Sequence, residues 1–152
     1  MSEPKTIKEM LCESAEKYKN NCAFTFLGKD GKRFEISYER LKNDVDSLSL
    51  ALIYELKAEN EKAAIICHNC YEWCLCYLAC LSSGIVAVPV DRELSGSDIG
   101  DILSFAEVKV VFCDSKTKEK LQKNPEVSYV EINPLGESEF EKLLKKGEDL
   151  KR

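Results

Sequence analysis

The fold class is set by Leu81-Ser-Ser-Gly-Ile-Val-Ala-Val-Pro-Val-Asp91, which holds a helix end, a glycine, an apolar strand and a proline–acid exit in eleven residues. Gly84 provides the left-handed backbone position with which many helices end. The apolar run Ile85–Val90 then predicts a strand buried on both faces, as in parallel sheets. A helix that passes so directly into a buried strand is typical of an α/β fold.

The same alternation continues on both sides of this segment. Upstream, Ala63–Cys67 predicts another buried strand, and Asn69-Cys-Tyr-Glu72 reads as a capping box that opens a helix to about Ser82. Downstream, the pattern predicts in turn a helix over Ser95–Ala106, a strand over Val108–Cys113, a helix over Ser115–Lys123, a strand over Val127–Ile132 and a helix from Ser138 to near Gly147. This order predicts an α/β fold, a mostly parallel sheet with helices on both faces.

The N-terminal third has a different pattern. Thr6-Ile-Lys-Glu9 is a capping box that opens a helix over Thr6–Lys19, and two strand patterns around the turn Gly28–Gly31 predict a β-hairpin. The long helix Tyr38–Leu56, with Ser37 as its cap, carries apolar residues at helical spacing. We therefore expect a single subdomain over 1–152, divided into a helix and hairpin (1–37), an alternating α/β unit (38–135) and a terminal helix or linker (136–152).

Composition excludes some classes of protein. The chain has 152 residues, of which 44% are apolar, so one globular domain with a real core is expected. A net charge of −5 argues against a nucleic-acid binder. No secretion signal is present, and the longest apolar region, Cys74–Val90, is too interrupted for a membrane span. We expect a cytoplasmic protein whose eight cysteines stay reduced.

Candidate site residues come from the strand ends. In open α/β sheets ligands bind beyond the carboxyl ends of the strands, which here are near His68, Asp91–Leu94, Asp114 and Asn133. Asp91 and Arg92 form the best-placed polar pair, with a turn or a salt bridge as the alternative role. His68 is the only histidine, and without a placed partner it also fits a structural or surface role. No glycine-rich phosphate loop of a recognised type is present.

A group of cysteines around His68 raises the question of a metal or a redox dithiol. Cys67 and Cys70 have the CxxC spacing, but a structural zinc site normally needs a second ligand pair at matching distance. On one helix, Cys70 and Cys74 share a face, while Cys76 and Cys80 lie roughly opposite. We therefore expect no metal site and interpret these cysteines mainly as small apolar side chains.

Three motifs in order carry a family resemblance. They are Ile36-Ser-Tyr-Glu-Arg-Leu41, Asn69-x-x-Glu72-Trp73 and Leu81-x-x-Gly84-x-x-x-x-Pro89-x-Asp91. Together they resemble the N-terminal part of AMP-forming acyl-CoA synthetases of the adenylate-forming superfamily, and the chain is most similar to bacterial long-chain fatty-acid–CoA ligases.

The resemblance implies an enzyme that activates a fatty acid with ATP and Mg²⁺ to an acyl-adenylate and then transfers the acyl group to CoA. The phosphate loop and the later catalytic motifs of that family are absent from this sequence, so no catalytic residue is carried over. Some relatives contact CoA or the acyl group through loops of this region, which makes His68, Asp91 and Arg92 candidate cofactor-binding residues.

We therefore expect an N-terminal portion of a ligase that is inactive alone, binds no cofactor alone and packs against the rest of its own polypeptide. Apolar surface left uncovered by missing parts predicts self-association. Two alternatives stay open: a stand-alone binding or interaction module without catalysis, and a metal or redox protein built on the cysteine group.

Overall fold

A computed structural model describes residues 6–27, 31–133 and 138–152. Within these ranges the helices are α1 (Ile7–Tyr18), α2 (Tyr38–Tyr54), α3 (Tyr71–Ser82), α4 (Gly96–Ala106), α5 (Ser115–Lys120) and α6 (Glu139–Asp149). The strands are β1 (Cys22–Leu27), β2 (Arg33–Ser37), β3 (Lys62–Ile66), β4 (Val86–Pro89), β5 (Val110–Cys113) and β6 (Ser128–Glu131). Three residues of the predicted hairpin turn, 28–30, and the proposed boundary near residue 135 lie outside the described residues.

The strands form the two sheets that the sequence predicts. β1 and β2 pair antiparallel as a hairpin, and the other four strands form a parallel sheet in the order β4-β3-β5-β6. In the centre of the parallel sheet, Ala64 lies opposite Val88 on one side and Val111 on the other. The α/β class and the N-terminal helix and hairpin are confirmed.

Helices cover both faces of the parallel sheet, because alternate residues of each strand point to opposite sides. Ala63, Ile65 and Cys67 point into the larger core, to which α1, α2, α3 and α6 contribute. Ala64 and Ile66 point into a smaller core that is covered by α4. No helix in the described part of the chain combines the length and apolarity that a membrane crossing requires.

Most of the predicted helix ends are confirmed. The Thr6 Oγ1 accepts from the Glu9 N–H (3.1 Å), and the Glu9 carboxylate accepts from the Thr6 N–H (3.2 Å), which completes the capping box. Ser37 caps α2 by accepting from the Arg40 N–H. Gly84 has φ +74°, and the following Ile85 N–H donates to the Cys80 carbonyl (3.0 Å), so the chain leaves α3 as expected.

The predicted capping box at the start of α3 is wrong. The N-cap is Cys70, whose backbone is extended (φ −150°, ψ 174°) and whose side chain makes no capping hydrogen bond. Asn69 therefore lies one residue before the cap, and Glu72 is the second helical residue rather than the third. The extended backbone at Cys70 delays the helix by one residue, so that neither side chain of the proposed box has the geometry it needs.

The last helix ends two residues beyond Gly147, near which the sequence predicts its end. α6 runs to Asp149, and Gly147 is buried inside it against α2. A Cβ built on Gly147 would lie 1.8 Å from the Ser47 carbonyl oxygen. This glycine is therefore required for the close approach of two helices, which a single-chain pattern does not distinguish from a helix stop.

Candidate functional site

The carboxyl ends of β3 and β4 enclose an open cavity of about 440 Å³. Its lining combines the segment after β3, one aromatic residue of α3 and the segment after β4: Cys67, His68, Asn69, Trp73, Pro89, Val90, Asp91, Arg92 and Glu93. All three candidate residues from the sequence lie here. The position agrees with the expectation that ligands of such sheets bind at this edge.

Asp114 is the residue that joins two of these candidates. It follows β5 at the same edge, and its Oδ2 lies 3.1 Å from Arg92 Nη1 and 3.8 Å from His68 Nδ1. Its other oxygen accepts from the Thr117 N–H (2.8 Å) and so caps α5. A single buried carboxylate thus links the loops after β3, β4 and β5.

The charges in this cluster are shifted by their contacts. Burial on its own would raise the pKa of Asp114, but the hydrogen bonds from Thr117 and the charges of Arg92 and His68 lower the pKa overall. The hydrogen bond to Glu93, and then the charge of Asp114, raise the pKa of Arg92. Both groups are therefore held in their charged forms, as partners of an ion pair.

Asp91 has a separate local role. Its Oδ1 accepts from the Glu93 N–H (2.9 Å), which closes a tight turn directly after β4. Lys120 Nζ donates to the Arg92 carbonyl (3.1 Å) and fixes the same loop from the α5 side. The turn and the salt bridge that we gave as alternative roles of the Asp91–Arg92 pair are both present: Asp91 closes the turn, and Arg92 forms ion pairs with Glu93 and Asp114.

Sequence reasoning named Asp114 only as a strand end and missed its central position. The available signal was an Asp that follows an apolar strand and precedes Ser115-Lys-Thr117, which is the pattern of a helix N-cap. An N-cap at the carboxyl edge necessarily faces the other strand ends. The pattern does not predict which side chains contact the Asp114 carboxylate, because Arg92 and His68 are distant from it in sequence.

The residues of this cavity are not suited to bind a nucleoside triphosphate. The edge carries the carboxylates of Asp91, Glu93 and Asp114. Its cations are already engaged: the Arg92 guanidinium pairs with two of these carboxylates, and the Lys120 ammonium donates to the Arg92 carbonyl. Phosphate recognition needs free cations or aligned backbone N–H groups. Magnesium fits no better, since no group of three or more His, Cys, Asp or Glu in the described ranges is placed to hold a metal ion. No chemical step through ATP or Mg²⁺ is assigned to this cavity.

The cysteines divide as their spacing predicts. Cys76 and Cys80 are fully buried in the large core, while Cys70 and Cys74 are half-buried on another side of α3. Burial raises the pKa of Cys80 to about 12 and also raises the pKa of Cys76 well above its usual value. These two thiols are therefore kept protonated and act as apolar packing groups.

A larger cavity of about 900 Å³ lies at the opposite, amino end of the sheet. It is open and polar, and its lining includes Lys62, Glu107, Lys109 and Glu126, so that both signs of charge alternate around it. Sequence reasoning did not anticipate it. It lies away from the strand ends where α/β sheets bind ligands, so the carboxyl-end cavity remains the candidate site.

Comparisons with known proteins agree with this architecture. The Arabidopsis thaliana long chain acyl-CoA synthetase 5 is 30% identical over 143 residues, which cover 86% of this chain and 22% of that protein. The Rattus norvegicus long-chain-fatty-acid–CoA ligase 5 is 28% identical over 85 residues, which cover 55% of this chain and 12% of that protein. The chain thus spans about a fifth or less of these relatives.

The fold is shared with solved structures. The N-terminal domain of FACL13 from Mycobacterium tuberculosis superposes with a TM-score of 0.77 at 20% identity, over 93% of this chain and 36% of that one. The profile of the family described as AMP-binding enzyme matches residues 11–151. The resemblance read from the three motifs is confirmed: the chain belongs to the AMP-binding enzyme family.

Proposed function

We propose that this chain forms the N-terminal part of an ATP-dependent acid–thiol ligase, which makes acyl-CoA from a long-chain fatty acid through an acyl-adenylate. The observation that supports the proposal most is the 30% identity over 143 residues with a long chain acyl-CoA synthetase, of which this chain spans 22%. A carboxylate is unreactive towards a thiol until its oxygen becomes part of a good leaving group, and adenylation supplies that group. Cations placed around the phosphates stabilise the charge that develops.

In this proposal the chain is structural rather than catalytic. ATP, Mg²⁺ and CoA are used by the whole ligase. The carboxylates at the carboxyl-end cavity are unfavourable for binding a nucleoside triphosphate. The family motifs supply architecture: Ser37 caps α2, Gly84 ends α3 and Asp91 closes the turn after β4. A further link is the Tyr71 hydroxyl, which donates to Asp44 Oδ2 (2.8 Å) and ties α3 to α2. Residues 1–152 then act as one subdomain in a cytoplasmic enzyme.

The test uses the polypeptide encoded by the complete reading frame that contains this chain. We expect ATP–pyrophosphate exchange that depends on dodecanoate or hexadecanoate, little exchange with acetate, and acyl-CoA formation when CoA is added. The 152-residue chain assayed alone should give no exchange above background. Absence of exchange with every acid, by a folded full-length polypeptide, would refute the proposed activity; robust exchange by the 152 residues alone would refute the structural role.

We propose that the carboxyl-end cavity contacts the acyl group or the uncharged pantetheine arm of CoA, with His68, Asp91 and Arg92 at its rim. The His68 side chain is 45% exposed, so replacing it disturbs the core little. In the full-length polypeptide, His68→Gln should raise the KM for CoA or for the fatty acid while the KM for ATP stays unchanged. Lys8→Ala, on the exposed surface of α1, is the matched control. An effect of His68→Gln confined to ATP would contradict this assignment.

We also propose that uncovered apolar surface lets the 152-residue chain self-associate. Phe105 is 93% exposed and Leu27 is 73% exposed, although both are large apolar side chains. Such exposure is unfavourable in water and is relieved by association. Sedimentation velocity over a wide range of concentration should show reversible oligomers. A strictly monomeric chain at the highest concentration would count against the proposal.

A further inference from the structure

Two exposed parts of the chain lie on opposite sides of the parallel sheet. The β1–β2 hairpin is on the side of the larger core, where Phe24 packs against that core and β2 contacts α2. α4 covers the other face of the sheet, where Ile99 is buried in the smaller core. The sheet therefore separates the hairpin from α4 within one molecule, so a contact between them requires two copies of the chain.

The outward side of α4 is apolar and acidic. Asp98, Asp101, Ile102 and Phe105 are all exposed and follow one another at helical spacing, so they form one stripe, which we call the α4 surface. Phe105 is 93% exposed, which leaves an aromatic ring almost wholly in water. The acidic character extends over the whole segment 91–107, whose charged residues are Asp91, Arg92, Glu93, Asp98, Asp101 and Glu107.

The end of the hairpin is apolar and basic. Its last two cross-strand pairs are Phe26–Phe34 and Leu27–Arg33, which point to opposite sides of the hairpin, and we call these four residues the hairpin end. The Phe26 and Phe34 rings stack with 5.4 Å between their centroids, and Leu27 is 73% exposed. Arg33 pairs with Glu35 (2.8 Å). The basic character extends over the segment 17–33, whose charged residues are Lys17, Lys19, Lys29, Asp30, Lys32 and Arg33.

We propose, as an extension of the self-association proposed above and resting on it, that the α4 surface of one copy docks on the hairpin end of a second copy. Docking covers Phe105 and Leu27, whose exposure is unfavourable in water. Charge then selects the pairing. Two α4 surfaces would place acidic segments against each other, and two hairpin ends would place basic segments against each other, whereas α4 against the hairpin pairs opposite charges.

This geometry determines the kind of oligomer. Because the contact joins two different surfaces, each copy in a pair still has one unused α4 surface or one unused hairpin end. Further copies add to these free surfaces, so the oligomers should grow into chains as the concentration rises. A contact of either surface with itself would instead stop at a dimer.

The experiment mixes two variants of the 152-residue chain, each of which lacks one surface. Phe105→Ala removes the ring from the α4 surface and keeps a good helix former. Leu27→Glu places an acid on the hairpin end, where it opposes the acidic segment of α4. In sedimentation velocity each variant alone should be monomeric, with an association constant lowered by about 30-fold or more, which is the effect of an interface hot spot. The equimolar mixture should form a dimer and nothing larger, because it contains one intact surface of each kind.

A control variant and the salt dependence complete the test. Tyr54→Ser changes a side chain that is 64% exposed at the end of α2, outside both surfaces, and should associate as the wild type does. Raising the ionic strength from about 0.1 M to about 1 M shortens the Debye length from about 10 Å to about 3 Å and should weaken the association of the wild type. Circular dichroism checks that every variant is folded.

The results separate this contact from self-association in general. A wild-type chain that stays monomeric at every concentration refutes self-association itself. Wild-type oligomers together with a mixture that stays monomeric overturn the pairing of α4 with the hairpin. The pairing is also overturned if Leu27→Glu alone still dimerises, which indicates an α4–α4 contact, or if Phe105→Ala alone still dimerises, which indicates a contact between hairpins. None of these readouts depends on ligase activity.

Discussion

Replacement of Gly147 by alanine tests the packing of α6 on α2 most sharply. Gly147 lies inside α6, and its Cα faces the backbone of Ser47 in α2. The added Cβ would lie 1.8 Å from the Ser47 carbonyl oxygen and 2.6 Å from its carbon. Both are backbone atoms within a buried helix, so they do not move aside as the end of a flexible side chain does. The two helices must separate, and the contacts of Phe140 and Leu143 with the core loosen.

Two opposing effects determine how much Gly147→Ala changes the free energy of unfolding. Alanine is more favourable than glycine inside a helix by about 1 kcal/mol. Overpacking of a close-packed interior costs about 1–3 kcal/mol, and the upper part of that range applies because the contact is far shorter than any van der Waals separation. We therefore expect Gly147→Ala to lower the free energy of unfolding by about 2 kcal/mol. Urea denaturation followed by circular dichroism measures this change directly.

Gly100 in α4 is the matched control. It is also a glycine inside a helix, but a Cβ built there meets nothing within 4 Å. Gly100→Ala should therefore raise the free energy of unfolding by up to about 1 kcal/mol. The two identical substitutions are predicted to have opposite signs. If Gly147→Ala proves as stable as the wild type or more so, the close approach of α6 and α2 is refuted.

The remaining predictions concern helix ends and the Asp114 cluster. Ser37→Ala should lower the free energy of unfolding by about 1 kcal/mol because α2 loses its cap, whereas Asn69→Ala should change it by less than about 0.5 kcal/mol; equal losses in urea titrations would contradict the assignment of Cys70 as N-cap. Asp114→Ala should cost about 2 kcal/mol through the cap and the ion pair together, and Asp114→Asn about half of that, since asparagine caps equally well. Because the folded-state pKa of Asp114 is lowered, its ionised form stabilises the fold above the unfolded pKa of about 4, and this contribution is lost as the pH falls through the folded pKa. Asp114→Asn should therefore weaken the acid dependence of the unfolding midpoint; an unchanged dependence would place the stabilising charge elsewhere.

The parts of the fold that the sequence predicts are those controlled by local chemistry. The capping box at Thr6, the Ser37 cap and the left-handed Gly84 each depend on a few neighbouring residues, and all three are confirmed. The same reasoning fails where a tertiary contact decides. The close approach of Gly147 to α2 has no signal in the local sequence, and Asn69 resembles a cap until the extended backbone of Cys70 is known.

The candidate site shows the same division. The rule that ligands bind at the carboxyl ends of parallel strands correctly brought His68, Asp91 and Arg92 to one cavity. It did not predict that Asp114 pairs with Arg92 and approaches His68, because three loops that are far apart in sequence must meet for this to occur.

We propose that these 152 residues provide the N-terminal architecture of an adenylate-forming ligase and supply no catalytic group themselves. Reading the coding DNA past the codon for Arg152 tests this most directly. We expect the frame to continue into a Ser/Thr/Gly-rich phosphate loop with a lysine. A stop codon directly after Arg152 would contradict it and would leave a non-catalytic binding module as the function to test.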